Sequence, residues 1–233
     1  MSKVLTPFKP GWVNKDLPES FYNDPDNLKI IGFFVVHAFR PFRSSKGKTI
    51  HDYGWPKNVW KNSSSVGLKD LLIYTAGLHY LTNNKDIVTG EPILESTFCS
   101  CNNLNDMSSV CNNSGCTDRF TQKRKVNRIA VYNSENNVML SVFDHIRNSL
   151  AHGRFTIYDD GMIAMESVKM TRNSKESNHD EVHARLLLSK KTLLQWIDII
   201  RTGYLDEKIV KEIENKRAAE KEKRRLIRRN EHK

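Results

Sequence analysis

No stretch of this sequence is apolar for long enough to cross a bilayer, which takes roughly 18 or more consecutive apolar residues. The longest apolar run, residues 30–38, is interrupted by Gly32 and His37 and is followed by Arg40. The N-terminal residues MSKVLTPFKPGW lack the apolar segment of a secretory signal. Both absences point to a cytoplasmic protein that meets no membrane, in a compartment where thiols stay reduced and disulfides are uncommon. A Gly-rich phosphate loop and a paired acidic metal motif are missing too, which argues against nucleotide binding or transfer. Hydrophobic residues make up 38% of the chain, a low share for a compact globule. The deficit sits in an Asn/Ser-rich stretch around 100–122 and in a charged tail after residue 206. The rest is ordinary, and at 233 residues a folded chain buries roughly 70% of its unfolded surface without needing staples.

What is abundant is positive charge. Lysine and arginine number 37 against 27 acids, a net charge of +10. The tail at 208–233 holds eleven Lys/Arg against five Asp/Glu, so it supplies +6 and the remainder +4. Its cations Lys221, Lys223, Arg224, Arg225, Arg228 and Arg229 form an electrostatic footprint for a polyanion, nucleic acid being the commonest. A solvated helix without a partner has the same composition.

Asp24-Pro25 is a helix start, an acidic cap before a proline at the first helical position. The residues from there to Arg40 read as a helix, although the centre IIGFFVVHAF is β-branched and aromatic enough for a strand. A loop rich in Gly, Pro and Ser covers 41–65. A second helix is expected at 66–81, where Leu68, Leu71, Leu72, Leu78 and Leu81 approach the spacing of one buried face. Residues 83–127 have little periodicity and read as an insertion. The strongest helix is 136–152, ended by Gly153 where a left-handed residue is needed. A hairpin turning at Asp160-Gly161 follows, then a short strand at 182–188 and a helix over 189–202 capped by Ser189 and stopped by Gly203. The tail should be helical when packed or bound.

The insertion contains all four cysteines, Cys99, Cys101, Cys111 and Cys116, as C-x-C-x9-C-x4-C. Four thiolates could bind a structural zinc, although the spacing is atypical and free cytosolic thiols fit as well. Trp55 and Trp60, near Lys57 and Lys61, could stack bases on a basic surface or simply anchor a loop.

Laid out at about 100° per residue, the helix at 136–152 separates two faces. Met139, Val142, Phe143, Ile146 and Leu150 share an apolar arc. Asp144, Arg147, Asn148, Ala151 and His152 share an exposed one. These groups suit phosphodiester chemistry. Arginine binds phosphate through a planar fork and offsets developing negative charge. Histidine exchanges protons near neutral pH without a metal. Asp144, three residues before Arg147, is placed to hold its guanidinium, and Asn148, one turn before His152, to orient the imidazole or a phosphate oxygen. Plain helix surfaces also carry such residues.

The stretch FDHIRNSLAHGRF at 143–155 resembles the signature of the HEPN superfamily, an arginine followed by four residues and then a histidine, here in the longer form I-R-N-x-x-A-H-G-x-F. It is most similar to small bacterial and plasmid-borne members in which that helix precedes short strands and a last helix. The specific match covers some thirteen residues. The resemblance implies a mainly α fold, a helical bundle over 1–205 with a small antiparallel hairpin addition; the insertion at 83–127 and the basic helical tail at 206–233 depart from the minimal pattern. It implies a homodimer, or a larger assembly of such dimers, in which two copies of the motif meet. It further implies metal-independent cleavage of single-stranded RNA, with no cofactor required, to a 2′,3′-cyclic phosphate and a 5′-hydroxyl. His152 would serve as general acid or base and Arg147 on the phosphate, with Asp144 and Asn148 beside them. Family members commonly act as toxins or antiviral effectors, under control of protein or RNA partners. The other reading is a HEPN-like RNA-binding scaffold that cuts nothing.

Overall fold

The computed structural model describes residues 10–13, 19–36, 49–56, 59–60, 66–81, 96–117, 126–135, 137–171 and 179–231. Six helices and six strands are distributed along them: α1 (Pro25–Ile31), α2 (Leu68–Thr75), β1 (His79–Leu81), β2 (Thr97–Cys101), α3 (Met107–Ser114), β3 (Arg128–Tyr132), α4 (Val138–Ala151), β4 (Phe155–Ile157), β5 (Met162–Thr171), β6 (His179–Ser189), α5 (Lys190–Thr202) and α6 (Glu207–Glu231).

This is an α/β protein, which overturns the expectation of a mainly α bundle. The strands form one mixed sheet in the order β1-β2-β3-β6-β5-β4. β1, β2 and β3 run parallel, and β3–β6, β6–β5 and β5–β4 are antiparallel. The hairpin expected at Asp160-Gly161 joins β4 to β5, and the short strand expected at 182–188 is the eleven-residue β6, which pairs with the ten-residue β5 to make the longest part of the sheet. Its inward positions alternate as the pleat requires, Ile163 and Met165 on β5 with Ala184, Leu186 and Leu188 on β6, all buried against the helices.

The remaining helices differ in length from their sequence patterns. α1 stops at Ile31 and continues as a wider π-type turn over Gly32–Val36, and residues 37–40 lie outside the described residues. The helix expected at 66–81 ends at Thr75; Gly77 turns the chain with φ 64°, and His79–Leu81 becomes an edge strand. Within 83–127 the described part is built into the fold. β2 pairs with β3 inside the sheet, and α3 covers the sheet face opposite the main core.

The main core lies between the sheet and α1, α2, α4 and α5. Phe143 of α4 packs edge-on to Trp196 of α5 at 5.9 Å and against Phe34 at 5.9 Å. The Trp196 indole donates to the Leu72 carbonyl at 2.9 Å, so even this fully buried ring has its polar atom satisfied. Trp55 does the same, donating to Ile200 O at 2.7 Å, and Trp60 stacks edge-on to Phe143 at 6.3 Å. Both tryptophans are therefore loop anchors and not a base-stacking surface; Lys57 and Lys61 lie outside the described residues.

Candidate active site on helix α4

α4 is fixed at both ends by its own sequence. The Asn137 side chain accepts from the Met139 and Leu140 amides at 2.8 and 3.3 Å, satisfying two otherwise unpaired donors. At the other end His152 is the cap and Gly153 follows with φ 62°. Gly153 N–H donates to Leu150 O at 3.3 Å and Arg154 N–H to Ser149 O at 2.8 Å. This paired closure is a Schellman motif, and the positive φ is why glycine stands there.

The apolar face expected from the sequence is the buried one: Met139, Val142, Phe143, Ile146 and Leu150 all lie in the core. His145, at the edge between the faces, pins the helix to the sheet. Its Nε2–H donates to Tyr132 O on β3 at 2.9 Å, and its Nδ1 accepts from the Ser167 hydroxyl on β5 at 3.0 Å. Burial pushes the His145 pKa down to about 4, so the ring is neutral over the physiological range.

Asp144, Arg147 and Asn148 are half-buried, and Ala151 and His152 are exposed. Arg147 Nη1 donates to Asn148 Oδ1 at 3.1 Å, and Asn148 Nδ2 donates to Asp144 Oδ2 at 3.2 Å. The amide thus sits between guanidinium and carboxylate as a relay. Asp144 reaches Arg147 through Asn148, whose side chain bonds these two residues. The Asn148 backbone carbonyl accepts from His152 N–H at 3.1 Å. His152 is exposed at the C-terminal cap of the helix.

Two groups near this stripe have no clear signal in the sequence. Arg154 extends the motif by one more cation, its Nη2 3.5 Å from Asp180 Oδ2; the motif leaves that position open, so spacing alone does not single it out. His183 arrives through a β-bulge. The register steps from Ser167 opposite Ala184 to Val168 opposite Val182, leaving His183 as the extra residue. Its ring lies 6.1 Å from that of His145 and 5.3 Å from Tyr132, with Nε2 3.9 Å from Glu181. Burial holds its pKa below the usual imidazole value. A register irregularity leaves no mark in a single sequence.

The tail cations lie on α6. Lys221, Lys223 and Arg225 are exposed, Arg225 facing Glu222 at 3.7 Å. Arg224, Arg228 and Arg229 belong to the same helix, and their side chains lie outside the described residues. The base of α6 is held on α2 by buried Ile213, by the Arg217–Asp70 ion pair and by Tyr74 O–H donating to Glu212 at 3.2 Å.

The four cysteines are buried together beneath α3 with Met107, Val110 and Ala130. Burial pushes the thiols up, to about 12 for Cys99 and about 11 for Cys101 and Cys116, and Cys111 also upward. Cys101 points its sulfur at that of Met107, 3.5 Å away. Among the described residues no three metal-ligating side chains converge on one point, and these thiols pack as small apolar groups.

No family model, curated protein or solved structure gives a significant match to this chain. Among the described residues no helix is long and apolar enough to cross a membrane.

Proposed function

We propose that the protein is a metal-independent endoribonuclease of the kind its α4 motif resembles, acting on single-stranded RNA. One observation carries the reading: Arg147 is held in a hydrogen-bonded row with Asn148 and Asp144 on the side of a helix whose last exposed residue is His152. A guanidinium has five N–H donors; here Nε is buried and one Nη1 donor is held by Asn148, which keeps the remaining Nη donors for a phosphate. A histidine just over one turn beyond is the proton carrier.

In this mechanism the ribose 2′-oxygen attacks the adjacent phosphorus as its proton passes to a general base. A 2′-O–P bond forms and the P–O5′ bond breaks. The leaving 5′-oxygen takes a proton from a general acid, giving a 2′,3′-cyclic phosphate and a 5′-hydroxyl with no net uptake of water. Arg147 offsets the charge on the non-bridging oxygens. One chain offers a single exposed histidine on the stripe, while the step needs both an acid and a base. A second copy, meeting the first across Ala151 with the RNA phosphate between the two arginines, supplies the other. The exposed cations of α6 hold the flanking backbone.

The test is cleavage of a labelled single-stranded RNA by wild type, His152→Ala and Arg147→Ala. Each variant should lose activity, and equimolar mixing of the two should not restore it, because the mixed dimer holds one histidine and one arginine where the step needs two of each. A folded variant that cuts like wild type removes the motif from the mechanism and leaves the RNA-binding scaffold.

A further inference from the structure

The face of α5 turned away from the core forms the floor of a groove that has no part in the α4 site. The groove has a volume of about 650 Å³ and lies between α5, α2 and the first turn of α6. Its floor is apolar, made of Leu71, Leu194, Ile199 and Ile209. The rim is charged: Lys190 and Lys191 stand at the N-terminal end of α5, Lys190 paired with Asp24, while Asp26, Asp198 and Asp206 supply three carboxylates. The Asp198 carboxylate is 63% exposed and meets the surface ammonium of Lys29 at 2.9 Å. Such a pair exchanges partners at little cost.

A second feature matches this groove. The C-terminal half of α6 carries Leu226, 52% exposed, beside the exposed cation Arg225. A large apolar side chain on a basic helix and an apolar groove with carboxylates on its rim are complementary in both shape and charge.

We propose that the groove receives the C-terminal half of α6 from a second copy of this chain, so that two copies exchange these ends across a two-fold axis. The placement on one helix supports this occupant. Ile209 of the groove lies on the first turn of α6, and Leu226 lies about 25 Å further along it at 1.5 Å per residue. Two antiparallel α6 helices therefore bring each Leu226 to the other's groove, and the contact is isologous as a closed dimer requires. The two-fold axis then crosses α6 near Ala218 and Ala219, both small and exposed, where helix backbones can approach closely. Positions 221, 224 and 228 share the opposite side of α6 by the helical period, so docking leaves their face to solvent.

The mass of the full chain in solution, measured by light scattering without RNA and with Ala151→Arg present throughout to block the α4 contact of the proposed ribonuclease, tests this independently of that reading. The Ala151→Arg chain should still be dimeric. Leu226→Glu, at an exposed position, and Asp198→Lys, on the groove rim, should each weaken that dimer tenfold or more with an unchanged circular dichroism spectrum. A monomeric Ala151→Arg chain with a native circular dichroism spectrum overturns the proposal. So does a dimer that persists in Leu226→Glu, which would place the contact elsewhere. Lost affinity of Leu226→Glu for a single-stranded RNA oligonucleotide, at unchanged mass, overturns it as well and assigns that face to nucleic acid.

Discussion

At the scale of single residues, the proposed chemistry rests on groups that the fold holds without needing them. Arg147 and His152 do not contribute to the core, so replacing either by alanine should remove about 100-fold or more of the cleavage rate, the usual worth of a proton-transfer or charge-stabilising group. For His152→Ala the melting temperature should move little, because exposed substitutions typically change stability by about 0.5 kcal/mol or less; half-buried Arg147 is checked by circular dichroism for a retained fold. Asn148→Ala is the finer probe. It removes the link between Arg147 and Asp144 and leaves both charges in place. We expect a fall in kcat of about tenfold with KM nearly unchanged, since the guanidinium remains but is less well ordered. A loss confined to KM would instead assign Asn148 to ground-state binding of RNA.

At the scale of elements, α4 is tied to the sheet by a buried neutral histidine, and this makes stability depend on pH in a definite direction. An unfolded histidine takes up its proton near pH 6.5, whereas folded His145 resists until about pH 4. Between those values the unfolded chain binds more protons, so stability rises with pH across that window and is lost as pH falls through it. The melting temperature should drop between pH 7 and pH 5, and His145→Gln should flatten the drop while lowering stability at pH 7. An unchanged slope in that variant would move the effect to His183, whose pKa is also held down. Much of α4 is legible in the sequence, because cap, apolar period and terminal glycine all agree over one continuous segment. The hairpin turn and the caps of α5 are legible for the same reason. The parallel half of the sheet is not. β1 continues a leucine pattern that looks helical until Gly77 interrupts it, and TFCSC and RIAVY are five-residue strands whose pairing is set by neighbours far away in sequence. With those strands hidden, the hairpin at Asp160-Gly161 looks like an ornament on a bundle. The relay through Asn148 is also out of reach: a helical wheel places three polar groups together but does not say which amide atom faces which neighbour.

At the scale of the whole molecule, the charge asymmetry predicts how RNA is held. Truncation after residue 217 keeps the packed base of α6 and removes the cations from Lys221 onward. It should weaken binding of single-stranded RNA and reduce the dependence of affinity on salt, by roughly 0.7 in slope for each phosphate that is no longer neutralised. The proposed chemistry calls for no metal, so on that reading cleavage should survive EDTA; loss of activity that magnesium restores would indicate another nuclease chemistry. The most direct test of the central claim is the chemistry of the ends. Purified full-length protein incubated with a defined single-stranded RNA in EDTA should leave 2′,3′-cyclic phosphate and 5′-hydroxyl termini, and His152→Ala should leave none. Products bearing 5′-phosphate and 3′-hydroxyl, or the same cuts made by His152→Ala, would contradict it.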